Sequence, residues 1–264
     1  MTNRPRRFHL PRRKRTIIQC IAGEDSLASL YEEYQKVLAL PKDDSYDTVI
    51  EQDLPRTFPQ SAFLKRNLSS VKKLIDAFVS YSSVGYIQGQ NFLAAASVFF
   101  FFGKLPYMSF WLMVSLFENL KHIYLLPIDA TFRMQNEHFA SDTEKIVKVF
   151  LALYRSKHSA THVPLTTVLI LKNMVQWRLL GTLMFTFCKD LTGTRQILFH
   201  YIATLEDRDA FRKKAASTAL AFLVCCFLEK EIDEEVILVV QNASLTETGI
   251  DRILESSENL QSLL

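Results

Sequence analysis

The chain has 264 residues, 48% apolar and 22% charged, which is the composition of a folded globule and suits one domain or two small ones. Its 31 Lys+Arg against 28 Asp+Glu give +3, but seven of the bases (Arg4, Arg6, Arg7, Arg12, Arg13, Lys14 and Arg15) crowd into residues 1–23, which hold no acid, so the remainder is net acidic. With only seven glycines, and eight prolines that stop at Pro164, the chain lacks the turn punctuation of an all-β fold; an all-α architecture of about ten helices is expected.

Apolar residues at Leu27, Leu30, Tyr31, Tyr34 and Leu38, after an Asp25-Ser26 start signal, predict a first helix, with Pro41 just beyond it. Residues 43–59 lose the periodicity and read as a loop. Leu64, Leu68, Val71, Ile75, Phe78 and Val79 predict an amphipathic helix with Lys65, Arg66, Lys72 and Lys73 on its wet side. A break at residues 82–85 precedes an apolar helix over 91–102, and Gly103-Lys104-Leu105-Pro106 separates it from another over 107–120. Ser141-Asp142-Thr143-Glu144 reads as a capping box opening a helix through Tyr154. Further helices are expected at about 163–189, 194–205, 209–230, 233–241 and 246–263. Trp111 and the phenylalanines at 99–102 read as core.

Several classes of function are disfavoured. The runs at 92–102 and 168–188 are too short or too interrupted, by Lys172 and Arg178, to span a bilayer. The basic N-terminus has no apolar run behind it, so no secretory signal is expected. Cys20, Cys188, Cys225 and Cys226 show no CxxC spacing and read as structural thiols in a cytosolic setting. Neither a GxxxxGK[ST] phosphate loop nor an HExxH or GxSxG motif occurs. His158 and His162, one helical turn apart, lack a third ligand nearby, so no metal is expected.

Two segments stand out chemically. In Ile50-Glu51-Gln52-Asp53-Leu54-Pro55-Arg56-Thr57-Phe58-Pro59, the two prolines stiffen the backbone around Arg56. Asp53 is placed to orient its guanidinium by a charge-assisted contact. In Tyr86-Ile87-Gln88-Gly89-Gln90-Asn91, polar groups and a glycine stand directly ahead of a strongly apolar helix.

Ile50-x-x-Asp53-x-x-Arg56, followed by Thr57-Phe58-Pro59, resembles the IxxDxxR signature of the TBC-domain family of Rab GTPase-activating proteins. Tyr86-x-Gln88-Gly89-x-Asn91 resembles that family's YxQGxN signature, and the order and spacing of the two also suit it. Pro106–Trp111 is similar to the aromatic-rich helix that follows the second signature.

The resemblance implies a single multi-helix TBC-like domain over residues 10–264, with a basic tail at 1–9. It implies that Arg56 is an arginine finger and Gln88 a glutamine finger, with Asp53, Tyr86, Gly89 and Asn91 supporting them. Thr57, Phe58 and Asn91 are expected to be structural. The implied partner is a GTP-bound Rab-family small GTPase that brings its own GTP and magnesium, so the chain itself needs no cofactor. The implied role is in vesicle trafficking, from the cytoplasm or peripherally on endomembranes. The basic N-terminus could add contact with an anionic membrane; nucleic acid is not expected, because the body is net acidic. The chain departs from the family where Gln19 stands near the place of a usual tryptophan and where Gln196–His200 stands at a later signature. Those departures imply the alternative of a catalytically silent scaffold that binds a Rab GTPase or other trafficking proteins.

Overall fold

The computed structural model describes residues 27–82, 84–123, 127–128, 133–134, 137–158, 163–188, 191–242 and 245–264. The basic tail expected at residues 1–9, the rest of the segment up to residue 26 with Gln19 and Cys20, and His162 lie outside the described residues. Eleven α-helices are described. They are α1 (Leu27–Leu38), α2 (Asp47–Asp53), α3 (Ala62–Tyr81), α4 (Gln90–Phe100), α5 (Pro106–Ile123), α6 (Glu137–His158), α7 (Leu165–Met174), α8 (Leu191–Ile202), α9 (Arg208–Phe227), α10 (Glu234–Asn242) and α11 (Glu247–Leu260). Two two-residue strands, β1 (Pro127–Ile128) and β2 (Arg133–Met134), pair antiparallel, and with a single parallel bridge between Cys188 and Leu245 they are the departures from an all-α build among these residues. None of the described helices is long and apolar enough to cross a membrane.

Helix ends follow local chemistry. Ser61, Asp207 and Thr246 take extended backbone geometry and accept from the N–H groups of Leu64, Ala210 and Gly249, satisfying donors that the first turns of α3, α9 and α11 leave open. Helix α4 stops where Phe102 and Gly103 both turn left-handed (φ 54° and 66°) and the Gly103 N–H returns to the Val98 carbonyl at 2.9 Å.

The core is centred on α9, which is buried over most of its length: Phe211, Ala215, Ala219, Leu220, Phe222 and Phe227 are each at most 2% exposed. The helix packs against α5, α6, α8 and α11. Its small residues, including Ser217 and Thr218, let neighbouring backbones approach closely. A second layer sets α4 between α3 and α5, with Ala94, Ala95 and Ala96 fully buried. Helix α1 docks on α5 through the Trp111 indole N–H, which donates to the Leu30 carbonyl at 2.9 Å, and through the Tyr34–Phe110 ring pair.

Four expectations from sequence are corrected. Residues 43–59 are helical in part: a 3-10 turn (Asp44–Tyr46), α2 and a second 3-10 turn (Leu54–Arg56) run in succession. Helix α6 begins ahead of the apparent capping box, because Phe139, Thr143, Ile146, Val147 and Phe150 share one buried face and carry the helix through it. Asp142 instead holds Arg212 of α9 in a two-pronged pair at 2.8 and 2.7 Å. The stretch 163–189 is not one helix: α7 passes into a π-helical segment, Val175–Leu180, and ends at Leu183 and Met184, both at positive φ. Phe102 is 44% exposed, not core.

His200 sits where α8, α9 and α11 meet, its Nε2 lying 3.2 Å from Thr218 Oγ1 and 3.3 Å from Ser257 Oγ. Burial, and then the Lys214 charge, push its imidazole down from 6.5 to about 4. Between those values the unfolded chain takes up a proton that the native state refuses, so stability is present above pH 6.5 and is lost as pH falls toward 4. At about 1.4 kcal/mol per pH unit, that removes about 3 kcal/mol across the window. Urea unfolding of wild type and His200→Gln at pH 7 and 4.5 should show the steeper loss in wild type; equal losses would remove this histidine from the acid response.

Candidate functional site

The two conspicuous segments fold against one another. In the first, Ile50 and Leu54, four residues apart, are buried and anchor α2 and the following 3-10 turn on the core. Pro55 occupies the first turn of that 3-10 segment, where its missing N–H costs nothing. Arg56 closes the turn and is exposed. The chain then straightens at Thr57 and turns left-handed at Phe58 (φ 44°). That ring, 2% exposed, meets Phe92 of α4 edge-on at 5.2 Å. The strained backbone is thus held by an aromatic pair across the two segments.

In the second segment, residues 84–89 form a tight loop into α4, with left-handed Gly85 (φ 73°) and Gly89 (φ 106°). A Cβ on Gly85 would stand 2.3 Å from the Tyr46 hydroxyl, so only glycine fits there. Gln90 is buried and staples the loop from within: its Oε1 accepts from the Ile87 N–H at 3.1 Å and its Nε2 donates to the Gly85 carbonyl at 3.4 Å. Asn91 does the same one residue on, accepting from the Gly89 N–H at 3.1 Å. Gln88 alone of these residues is exposed, at the loop's tip.

Two buried hydrogen-bond chains tie the segments together. The Tyr86 hydroxyl donates to Asp53 Oδ2 at 2.9 Å. Burial, with the Asp53 carboxylate beside it, pushes that phenol well above its ordinary range. The Asn91 amide donates to Thr57 Oγ1 at 2.7 Å, and the Thr57 hydroxyl in turn donates to the Asp53 carbonyl at 2.9 Å. The sequence reading placed Asp53 on the Arg56 guanidinium; the structure corrects this, because the buried carboxylate points inward to Tyr86. Among the described residues, neither Arg56 nor Gln88 makes a hydrogen bond or ion pair. Each is an exposed group on a backbone whose neighbours are locked. Asn91, Thr57 and Phe58 spend their side chains on contacts within and between the two segments and the helix that follows.

Sequence reasoning missed Tyr46, Thr182 and Trp177. Tyr46 closes over Gly85, and Thr182 would stand 3.1 Å from a Cβ on Gly89. Trp177 lines a cleft together with Gln88, Gly89 and Thr182. Gly85 and Gly89, two of only seven glycines, were the available signal that something packs closely there. His158 stacks on Tyr154, and its Nε2 lies 2.6 Å from the Leu228 carbonyl.

Residues 21–151, which contain both segments, match the family model of the Rab-GTPase-TBC domain. Through these residues the chain belongs to that family. The TBC fold itself extends over the rest of the molecule: the crystal structure of the Ypt/Rab-GAP domain of Gyp1p superimposes with a TM-score of 0.64 over 97% of this chain and 90% of that one, at 17% identity. Among curated proteins, the TBC segment is 30% identical over 110 residues to the Rab GTPase-activating protein eat-17 of Caenorhabditis elegans, covering 39% of this chain and 11% of that protein. It is 30% identical over 100 residues to growth hormone-regulated TBC protein 1-A of Danio rerio, covering 36% of this chain and 28% of that protein. The chain thus matches well under two thirds of either relative's length.

The cross-ties of the TBC domain are testable. Tyr86→Phe leaves the Asp53 carboxylate buried without its donor and should cost about 1–3 kcal/mol. Asn91→Ala removes the second chain and should cost a similar amount. Because both ties end on Asp53, urea unfolding of the two single variants and the double should reveal a coupling of about 0.5 kcal/mol or more. Strict additivity would show that the two ties act independently.

Proposed function

We propose that this TBC domain accelerates GTP hydrolysis on a Rab-family small GTPase, supplying Arg56 and Gln88 to the partner's active site. The supporting observation is the pair of buried ties, Asp53–Tyr86 and Thr57–Asn91, which hold the two segments as one unit while Arg56 and Gln88 stay exposed and unengaged. The partner carries the GTP and the magnesium ion, in its GTP-bound state.

The chemistry asks for two groups. Transfer of the γ-phosphoryl to water spreads negative charge over the transferring oxygens and needs a water held in line. Arg56 answers the first need, since a planar, permanently charged guanidinium can span two oxygens where an ammonium cannot. Asp53 bears on this directly: its carboxylate is occupied by Tyr86, so Arg56 enters the partner's site without first breaking an internal ion pair. Gln88 answers the second need, because a neutral amide that both donates and accepts can orient water without competing for the phosphate charge. Both groups sit on pre-ordered backbone, so little ordering remains to be done when the complex forms.

In this reading the protein acts in vesicle trafficking, from the cytoplasm or peripherally on endomembranes where its GTPase resides. Single-turnover GTP hydrolysis across a panel of Rab GTPases tests it. Wild type should accelerate at least one. Arg56→Ala should lose about 10³-fold or more of that acceleration, and Gln88→Ala about 10²-fold. Acceleration of none, or full activity in both variants, would overturn the proposal.

A further inference from the structure

The chain has two tryptophans, used in opposite ways. Trp111 is half-buried and its indole N–H is spent on the Leu30 carbonyl. Trp177 is 52% exposed and makes no hydrogen bond among the described residues. It stands in the segment where the helix type changes after Met174. The π-helical segment is wider than an α-helix, with the Gly181 N–H reaching back five residues to the Gln176 carbonyl at 2.9 Å. That geometry keeps Val175, Leu179 and Leu180 in the core and leaves Trp177 on the surface, in the cleft that Gln88 lines. The backbone behind it is locked by buried Leu183 and Met184, both left-handed, and by the Met184 N–H bond to the Leu179 carbonyl.

Trp177 also ends an apolar strip. Leu165, 72% exposed, and Leu169, 50% exposed, precede it at four-residue steps through exposed Asn173, so all lie along one face of α7 and its π extension. From Leu165 to Trp177 this face runs about 18 Å. Its members carry no charge. Helix α10, packed beside α7, adds exposed Leu238 and Val239. Lone exposed apolar residues need no explanation, but three large ones in a row on one face, interrupted only by the uncharged Asn173 and ending in the cleft of Gln88, do.

We propose that this strip, anchored by Trp177, is the docking surface for the same GTP-bound small GTPase that receives Arg56 and Gln88, an inference that rests on the function proposed above. The occupant follows from continuity. A protein whose nucleotide site reaches Gln88 lies across the cleft that Trp177 lines. Two finger side chains cover far less than the roughly 800 Å² per partner of a specific interface. The additional area is met by the apolar face that begins at the same cleft, and a half-exposed tryptophan at its edge is the residue type that most often carries such contacts. The fingers supply the rate; the strip supplies the affinity.

The test uses the full chain and whichever GTPase wild type accelerates. Trp177→Ala, and separately Leu165→Ser with Leu169→Ser, should raise KM for the GTP-loaded GTPase about tenfold or more while leaving kcat within about twofold. Arg56→Ala should lower kcat instead. Because these three side chains are exposed, circular dichroism should show the variants folded. In addition, 5-fluorotryptophan labelling gives two fluorine resonances, with that of Trp177 assigned from Trp177→Phe. GTPase loaded with a non-hydrolysable GTP analogue should shift the Trp177 signal and leave that of Trp111 in place. Acceleration by wild type with unchanged KM in the variants and an unmoved Trp177 signal would overturn the docking surface while sparing the proposed function. A shift at Trp177 without any acceleration would uphold the surface and overturn catalysis. A Trp177 signal that moves with the chain's own concentration and not with GTPase would assign the strip to a second copy and overturn the proposal, as would failure of every GTPase both to bind and to be accelerated.

Discussion

Everything exposed at this site depends on a buried carboxylate. Asp53 is 7% exposed, and a polar side chain at that depth needs hydrogen-bond partners. The Tyr86 hydroxyl meets it from one segment, while the Asp53 carbonyl accepts from Thr57, whose oxygen in turn receives the Asn91 amide from the other side. One residue therefore fixes the relative position of two segments more than thirty positions apart in sequence. Loss of either partner leaves a polar group stranded in the core, so the arrangement is held by the penalty for undoing it as much as by the bonds themselves.

The helical frame makes that arrangement rigid. Buried small residues let α3, α4 and α5 approach closely, and the Phe58–Phe92 pair joins the first segment to the helix that the second one opens. Around the site the backbone is repeatedly bent out of its favoured regions: Phe58, Leu183 and Met184 are all left-handed without being glycine. Each such residue costs on the order of 1–3 kcal/mol and persists only where packing overdetermines it. All three are buried, which meets that condition. These strained positions lie close in sequence to Arg56 and to Trp177, which with Gln88 are presented outward from locked backbone.

The departures from sequence expectation share one cause. Local signals set competing possibilities, and burial chose among them. Ser141–Glu144 has the pattern of a helix start, yet the in-phase apolar residues from Phe139 to Phe150 outweigh a cap worth about 1 kcal/mol. The stretch before Arg56 lacks periodicity over any long window, yet Ile50 and Leu54 suffice to hold seven residues as helix once the core is there to receive them. The apolar run after Pro164 has the composition of one long helix; its conversion to π geometry and its stop at Leu183 answer to packing against α9, which no periodicity encodes.

Composition, spacing and helical periodicity alone established an all-α chain, the positions of most of its helices, and the two segments that carry Arg56 and Gln88, because these depend on residues close together in sequence. Only the tertiary structure decided what those segments touch. Proximity of Asp53 to Arg56 in sequence suggested an ion pair; folding turned the carboxylate inward to Tyr86, where water is excluded and a hydroxyl is within reach, and left the arginine exposed. Trp177 was an unremarked aromatic in an apolar run until folding placed it on the cleft of Gln88. Contacts across such separations depend on how helices pack, and packing depends on the summed shape of the whole core, which no local stretch of sequence contains.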